Sequence, residues 1–222
     1  MSLKKKLKSP LQYKKGFVKF LGCKINLSKK PFIPRIETEY WVGKAIEELR
    51  IKNRELRILD IFAGSGCIGI AVLKHIKKSY MDFADDDRKS IEQIKINLKL
   101  DKVSPKRYKI YKSDLFRKLK ERTYNVIFAN PPYVAEDRIN EVQKSALEYE
   151  PKKALFSGKK GLNHIKRFLK EAKRFLKQEG IIYLEFDPKQ KKEIEKILEK
   201  NGYKDYKIFK DQFKKYRWLK IP

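Results

Sequence analysis

A strand that has to stop where it does constrains this chain more than any other feature. The apolar run Val126–Ala129 ends at Asn130-Pro131-Pro132-Tyr133. The run reads as a short buried strand. Neither proline carries an N–H, and a residue before proline is pushed out of helical space. The backbone therefore leaves the strand extended and stiff. The Asn130 side-chain amide and the Pro131 carbonyl are left unpaired at the strand's end, with the Tyr133 ring close behind. Such a corner can accept hydrogen bonds from both hydrogens of a planar NH2 group and cover that group's face. Taken alone, it is also what any strand before a proline-rich turn looks like, so the upstream sequence has to decide.

Upstream, Arg57–Ile61 reads as the first strand of a main sheet. It runs into Phe62-Ala63-Gly64-Ser65-Gly66 and then an apolar helix over 70–76. Gly64 and Gly66 remove side-chain bulk, so a ligand can approach the backbone, and the helix start turns its N–H groups toward it. A second strand, Tyr80–Asp85, ends in acid. Asp85 stands 19 residues past Gly66, where an open α/β sheet places a carboxylate to hold a ribose diol. The turn is not G-x-G-x-x-G, and no Lys-Ser/Thr pair follows it, which disfavours a nucleotide P-loop. A helix over 88–100 leads to a third strand, 108–111, followed by Ser113-Asp114-Leu115-Phe116. Strand four, 124–129, delivers Asn130. Glycine turn, acid and Asn-Pro-Pro-Tyr thus all fall at carboxyl ends of strands, where such sheets bind ligands.

The remaining chain fits the same scheme. Residues 1–12 read as a basic arm, and 17–27 as a hairpin turning near Gly22-Cys23. Pro31–Arg35 is extended, and a helix over 37–49 has Tyr40, Ala45, Ile46 and Leu49 for its buried side. After the pocket, 136–151 reads as a long polar connection. An amphipathic helix from Leu162 to Leu176 ends at Gly180. Strand five covers 181–186, Pro188 opens a further helix to about Lys200, and 203–209 pairs with 216–221. Alternation of strand and helix predicts an α/β fold: a doubly wound, mostly parallel seven-stranded sheet with helices on both faces. The expected organisation is an arm and hairpin over 1–36 and a single domain over 37–222.

With Lys+Arg at 56 and Asp+Glu at 28, the net charge is +28. That balance suits attraction to RNA, the ribosome or an acidic protein surface. It equally suits a lysine-rich composition, since the excess is spread along the chain. Cys23 and Cys67 make neither a disulfide framework nor a zinc pattern, which fits a reducing compartment. No apolar run is long enough to span a membrane, and the N-terminus lacks the apolar core of a secretory signal. His75 and His164 sit in expected helices without evident partners and read as structural or surface residues.

The combination resembles the HemK/PrmC family of S-adenosylmethionine-dependent methyltransferases, which modify the side-chain amide of a release-factor glutamine. Besides Asn130–Tyr133, the similarity covers Phe32-Ile33-Pro34-Arg35-Ile36-Glu37-Thr38-Glu39, Ser113–Phe116, Glu150-Pro151, Ala154-Leu155 and Gly161-Leu162. It runs from about Tyr13 to the C-terminus. The resemblance implies a Rossmann-like class I methyltransferase fold, S-adenosyl-L-methionine as cofactor and S-adenosyl-L-homocysteine as product. Phe62, Ala63, Gly64, Ser65 and Gly66 would line the methionine part of the cofactor. Asp85 would hold the ribose, Leu115 would flank the adenine, and Asp114 would be a further cofactor-binding residue. Asn130, Pro131, Pro132 and Tyr133 would hold the substrate amide, with Asn130 also near the cofactor and Tyr133 packed on the amide plane. Asn130, Pro131 and Tyr133 are the expected catalytic residues, and no metal is expected.

Three departures stand out. Phe62 and Ile36 replace a usual glycine and proline, and only the hairpin stands where the family has an N-terminal helical domain. The Phe62–Gly66 wording is also similar to a ribosomal-RNA guanine methyltransferase family, which has aspartate before the two prolines. The expected partner is a peptide chain release factor in the cytoplasm, with RNA or ribosome contact through the basic surface as a further expectation. The alternatives are an RNA or DNA amino-methyltransferase acting at adenine N6 or guanine N2 and, behind it, a non-catalytic RNA- or ribosome-binding module.

Overall fold

Short apolar strands alternating with half-apolar helices can bury both kinds of surface only by layering helices on the two faces of one sheet. The computed structural model, which describes residues 8–51 and 54–222, has that arrangement. A short helix, α1 (Leu11–Lys15), precedes a hairpin of β1 (Phe17–Phe20) and β2 (Cys23–Asn26), then α2 (Ile36–Ile51). The sheet proper begins with β3 (Leu56–Ile61), α3 (Cys67–His75), β4 (Ser79–Asp85), α4 (Arg88–Leu100), β5 (Tyr108–Lys112) and β6 (Tyr124–Ala129). Beyond β6 come α5 (Lys144–Tyr149), α6 (Lys152–Leu155), α7 (Asn163–Glu171), β7 (Leu176–Glu185), α8 (Lys191–Lys200), β8 (Lys207–Lys210) and β9 (Tyr216–Ile221).

The seven strands of the main sheet lie in the order β5-β4-β3-β6-β7-β9-β8. All neighbours from β5 to β7 pair in parallel, and β9 runs antiparallel to both β7 and β8. The chain builds outward from β3 to β5, then returns to place β6 against the other side of β3. That reversal opens a crevice at the carboxyl ends of β3 and β6. Period-2 alternation sends strand residues to two cores. Ile58, Phe83, Val126 and Phe128 pack with the hairpin, α2, α3 and α4. Leu59, Ile61, Ile127 and Leu184 pack with α7 and α8. Trp41 stacks on Trp218 and tilts against Phe128, which locks α2 across the sheet.

Several expectations need correction. Of the expected basic arm, residues 1–7 lie outside the described residues, and Leu11 and Gln12 belong to α1. Tyr40 is not on the buried side of α2. The stripe is Thr38, Trp41, Val42, Ala45, Ile46 and Leu49, a helical spacing that leaves Tyr40 outside it. The polar connection after the pocket is not structureless: it holds a 3-10 turn, Glu136–Glu141, and α5. Gly180 does not end the amphipathic helix. That helix stops at Glu171, tightens through a 3-10 turn to Phe175, and gives way to β7 at Leu176. Phe175 and Leu176 still serve the second core, Phe175 by stacking on Phe116, so their apolar spacing mimicked one more helical turn. Gly180 instead lies inside β7, where a Cβ would come within 2.9 Å of Leu176 Cδ2 and the Lys177 carbonyl. The penultimate strand is shorter than expected, because the Tyr203 hydroxyl donates to the Leu169 carbonyl at 2.8 Å and β8 starts only at Lys207. Both cysteines are free and buried. Among the described residues no helix is long and apolar enough to cross a membrane.

Candidate active site

A cavity of about 820 Å³ lies along the carboxyl ends of the central strands. Its first half is made by the turn after β3. The chain reverses there through a run of left-handed residues, Phe62 (φ 62), Gly64 (φ 54) and Gly66 (φ 79). A Cβ on Gly64 would meet nothing closer than the Phe62 carbonyl at 3.9 Å, so that face is open to a ligand. A Cβ on Gly66 would lie 3.2 Å from Ile94, so that glycine serves the packing of α3 against α4. The φ of Phe62 is unfavourable for a bulky residue. Its ring meets His164 and Phe168 edge-on, at 5.9 and 6.2 Å between centroids, which offsets that strain. This is how a phenylalanine occupies a place that resembles a glycine position.

Asp85, at the end of β4, closes this half. Its Oδ2 accepts the Gly64 N–H and its Oδ1 the Asp87 N–H, each at 2.8 Å. Burial pushes its carboxyl up to about 6, and those two N–H groups hold it back from going further. The Ser90 hydroxyl also bonds to it, and the carboxylate lines the cavity, where a vicinal diol could meet its remaining lone pairs. Leu115 is buried with φ 49, in a turn fixed by the Ser113 hydroxyl, which donates to the Leu115 carbonyl at 2.8 Å. Asp114 sits at the cavity rim and takes a 2.7 Å ion pair from Arg167. An open glycine face, a diol-directed carboxylate and an apolar wall beyond it fit a nucleoside cofactor carrying an amino-acid tail.

The second half is assembled from distant parts of the chain. Asn130 Nδ2 donates to Thr38 Oγ1 at 3.3 Å. Thr38 donates in turn to Glu185 Oε2 at 2.7 Å, and Trp41 Nε1 donates to the same oxygen at 2.6 Å. The Tyr133 hydroxyl donates to Glu185 Oε1 at 3.0 Å. Burial raises the Glu185 carboxyl, while these three donors and nearby Arg217 act the other way. Burial and the Glu185 charge raise the Tyr133 hydroxyl, which therefore stays a donor. Glu150, also buried, accepts the Ile33 N–H at 3.1 Å and pairs with Arg35 at 2.6 Å, tying the extended segment before α2 to the pocket rim. The loop after Tyr133 is clamped by Gln190 Nε2, 2.9 Å from the Tyr133 carbonyl. It is also clamped by Gly161, where a Cβ would lie 2.2 Å from that carbonyl.

The cavity brings together Phe62, Ala63, Gly64, Ser65, Asp85, Asp114, Leu115, Asn130, Pro131, Pro132 and Tyr133, all expected from sequence, whereas Gly66 stands behind it. Two readings change. Tyr133, expected as a covering ring, also has its hydroxyl anchored on a buried carboxylate. His164 is not partnerless: it lines the cavity, its Nδ1 lies 2.7 Å from Ser157 Oγ, and burial lowers its pKa. His75 Nε2 likewise lies 2.8 Å from the Leu21 carbonyl. Sequence reasoning passed over Glu185 and gave Thr38 no role. Glu185 carried a usable signal, a carboxylate closing an apolar strand just as Asp85 does. Thr38 carried none beyond its place in the 32–39 segment.

Residues 45–160 match the methyltransferase small domain family. A release factor glutamine methyltransferase from Thermodesulfovibrio yellowstonii is 34% identical over 205 residues, covering 92% of this chain and 73% of that protein. One from Clostridium botulinum is 34% identical over 218 residues, covering 97% and 76%. The fold is similar to that of a T. thermophilus 16S rRNA guanine N2-methyltransferase in complex with AdoMet and guanosine, at TM-score 0.63 and 17% identity, over 92% of this chain and 49% of that one. Sheet order, cofactor half and these similarities define the class, an S-adenosylmethionine-dependent N-methyltransferase. Within that class, the chain belongs to the release factor glutamine methyltransferase family.

Proposed function

We propose that this protein methylates the side-chain amide nitrogen of a glutamine in a peptide chain release factor, using the Asn130–Tyr133 corner as the amide pocket. The observation that carries this reading is the pair of acceptors at the end of β6. The Asn130 amide has its nitrogen engaged by Thr38, and among the described residues no backbone N–H donates to the Pro131 carbonyl. An amide nitrogen is a weak nucleophile because its lone pair is shared with the carbonyl. Asn130 Oδ1 and the Pro131 carbonyl would take one N–H each. That orients the NH2 and leaves more electron density on nitrogen. Bound S-adenosylmethionine would supply an electrophilic methyl group, the S–CH3 bond breaking to leave S-adenosyl-L-homocysteine as N–CH3 forms, and one of the two amide N–H protons would leave on the side of its acceptor and pass to solvent. The chain contributes position and fixed dipoles, both large terms in such a transfer. Tyr133, held by Glu185, covers the amide face and keeps water from it. Asp85 would hold the ribose, the Phe62–Ser65 turn the amino-acid tail and Leu115 the base, with Asp114 also at the cofactor.

Residues 37–222 carry this chemistry. The segment before them supplies part of the substrate wall through Phe32 and Arg35, both at the cavity. The reaction belongs in the cytoplasm, where release factors act. Methyl-labelled cofactor offered with purified release factor and, separately, ribosomal RNA tests the reading. Label on a glutamine side-chain nitrogen of the release factor, mapped by mass spectrometry, is the expected result. Label in RNA with none in the release factor overturns it.

A further inference from the structure

The useful property of Asn130 in the proposed pocket is directional. A side-chain amide has an acceptor on one branch and donors on the other, and the two branches have nearly the same shape. If Asn130 faced the substrate with its nitrogen, two N–H groups would meet and the pocket would repel its amide. Something must choose the branch.

The hydrogen-bond polarity around Glu185 makes that choice. Trp41 Nε1 can only donate, so Glu185 Oε2 at 2.6 Å is an acceptor. Thr38 Oγ1 reaches the same oxygen at 2.7 Å, and its single hydrogen is committed there. Toward Asn130 the threonine then offers lone pairs alone. The branch of Asn130 that can meet them is Nδ2, at 3.3 Å, which leaves Oδ1 for the cavity. Thr38 and Glu185 are both 1% exposed, so no solvent competes for these bonds. Such chains are also strengthened in a low-dielectric setting. We propose that Thr38, held as a donor by Glu185, is a positioning residue that fixes the Asn130 amide with its oxygen toward the substrate NH2. The inference rests on the reading of Asn130 as the substrate-amide acceptor.

The relay has a chemical consequence. Glu185→Gln can keep its oxygen on the Trp41–Thr38 side and turn its nitrogen to the Tyr133 hydroxyl, so it preserves the polarity that Asn130 sees. Thr38→Val keeps the shape and removes the relay. Thr38→Ser keeps the relay and removes only a methyl group.

The test measures kcat, the KM for release factor and the calorimetric affinity for S-adenosylmethionine in Thr38→Val, Thr38→Ser and Asn130→Ala. Thr38→Val should lower kcat about five- to tenfold, the scale of one lost hydrogen bond. Cofactor affinity and KM should stay near parental, and Thr38→Ser should restore kcat. Asn130→Ala should fall much further, by about 10²–10³. Parental turnover in Thr38→Val beside an inactive Asn130→Ala overturns the relay and leaves the pocket reading standing. Parental turnover in Asn130→Ala removes the pocket reading itself. Equal loss in the serine and valine variants assigns the effect to packing and overturns the relay as well. Should Thr38→Val not fold, Thr38→Ala carries the same comparison.

Discussion

In one half of the cavity the Gly64 N–H meets Asp85 across 21 residues of sequence; in the other, Asn130, Thr38 and Glu185 meet across 92 and 147. The centre of the proposed cofactor half is one strand–turn–helix unit and the next strand's end. Its contacts there run from backbone N–H groups to a carboxylate, and β3–β4 pairing brings them together, with the Asp114–Leu115 turn after β5 added at its edge. The substrate half exists only once α2 has docked across the sheet and β7 has paired with β6, because Thr38 and Trp41 ride on α2 and Glu185 ends β7. Binding a cofactor common to a large class needs a local device. Orienting one particular amide needs side chains whose own rotamers are held by a buried network.

The largest expected effect falls on turnover. On the proposed pocket, Asn130→Ala removes the acceptor for the reacting NH2, and turnover should fall by about 10²–10³ in a single-turnover assay. A loss below about threefold would place the substrate amide elsewhere.

Next comes the anchor of the substrate half. Glu185→Leu leaves Tyr133, Thr38 and Trp41 donors without an acceptor. Each buried unpaired donor costs about 1–3 kcal/mol, so urea unfolding should show a loss of roughly 3 kcal/mol or more. Tyr133→Phe should cost about 1.5–3 kcal/mol, the range for a hydrogen bond to a charged group. An unchanged midpoint for Tyr133→Phe would mean the hydroxyl is not seated on Glu185.

The cofactor half is sharpened by Asp85→Ala, which should weaken S-adenosylmethionine binding by about 1–3 kcal/mol in calorimetry. Unaltered affinity would remove the carboxylate from the ribose site.

The smallest effect is a pH dependence. Asp85 sits at about 6, above its unfolded value, because of burial. In the free protein the cost of ionising it is present above that pH and relieved as pH falls through it. In the proposed role, ribose binding runs the other way, since the ionised form would accept from both hydroxyls. Affinity should therefore weaken severalfold as pH drops from about 7 to about 5. A flat profile would mean that the cofactor is held without the charge.

The same contrast explains what could be read in the chain. Strand ends at Ile61, Asp85 and Ala129, and the turn at Gly64 and Gly66, follow from local pattern and were legible. So was a ligand site at the carboxyl ends of the strands, because alternation points to a mostly parallel sheet, whereas the crevice between β3 and β6 follows from a strand order that the sequence did not disclose. The boundary at Gly180 was not legible, because Phe175 and Leu176 keep a helical spacing while packing from a tight turn and a strand. The role proposed for Thr38 was hidden for a different reason. Nothing within its own helix says which of its neighbours on α2 will face a carboxylate from β7. Glu185 was visible as an acid after an apolar run, but its three hydrogen-bond partners come from two distant segments, α2 and the turn after β6, and no periodicity links them.

One paired measurement tests the separation of the two halves most directly: cofactor affinity by calorimetry and single-turnover rate at saturating cofactor, for Asn130→Ala and Asp85→Ala side by side. The account predicts a double dissociation. Asn130→Ala should bind S-adenosylmethionine within about threefold of the parent and lose about 10²–10³ in rate. Asp85→Ala should bind weakly yet, once saturated, turn over near the parental rate. If each variant lost binding and rate in equal measure, the cavity would act as one indivisible site, and the assignment of Asn130 to the substrate and Asp85 to the cofactor would be wrong.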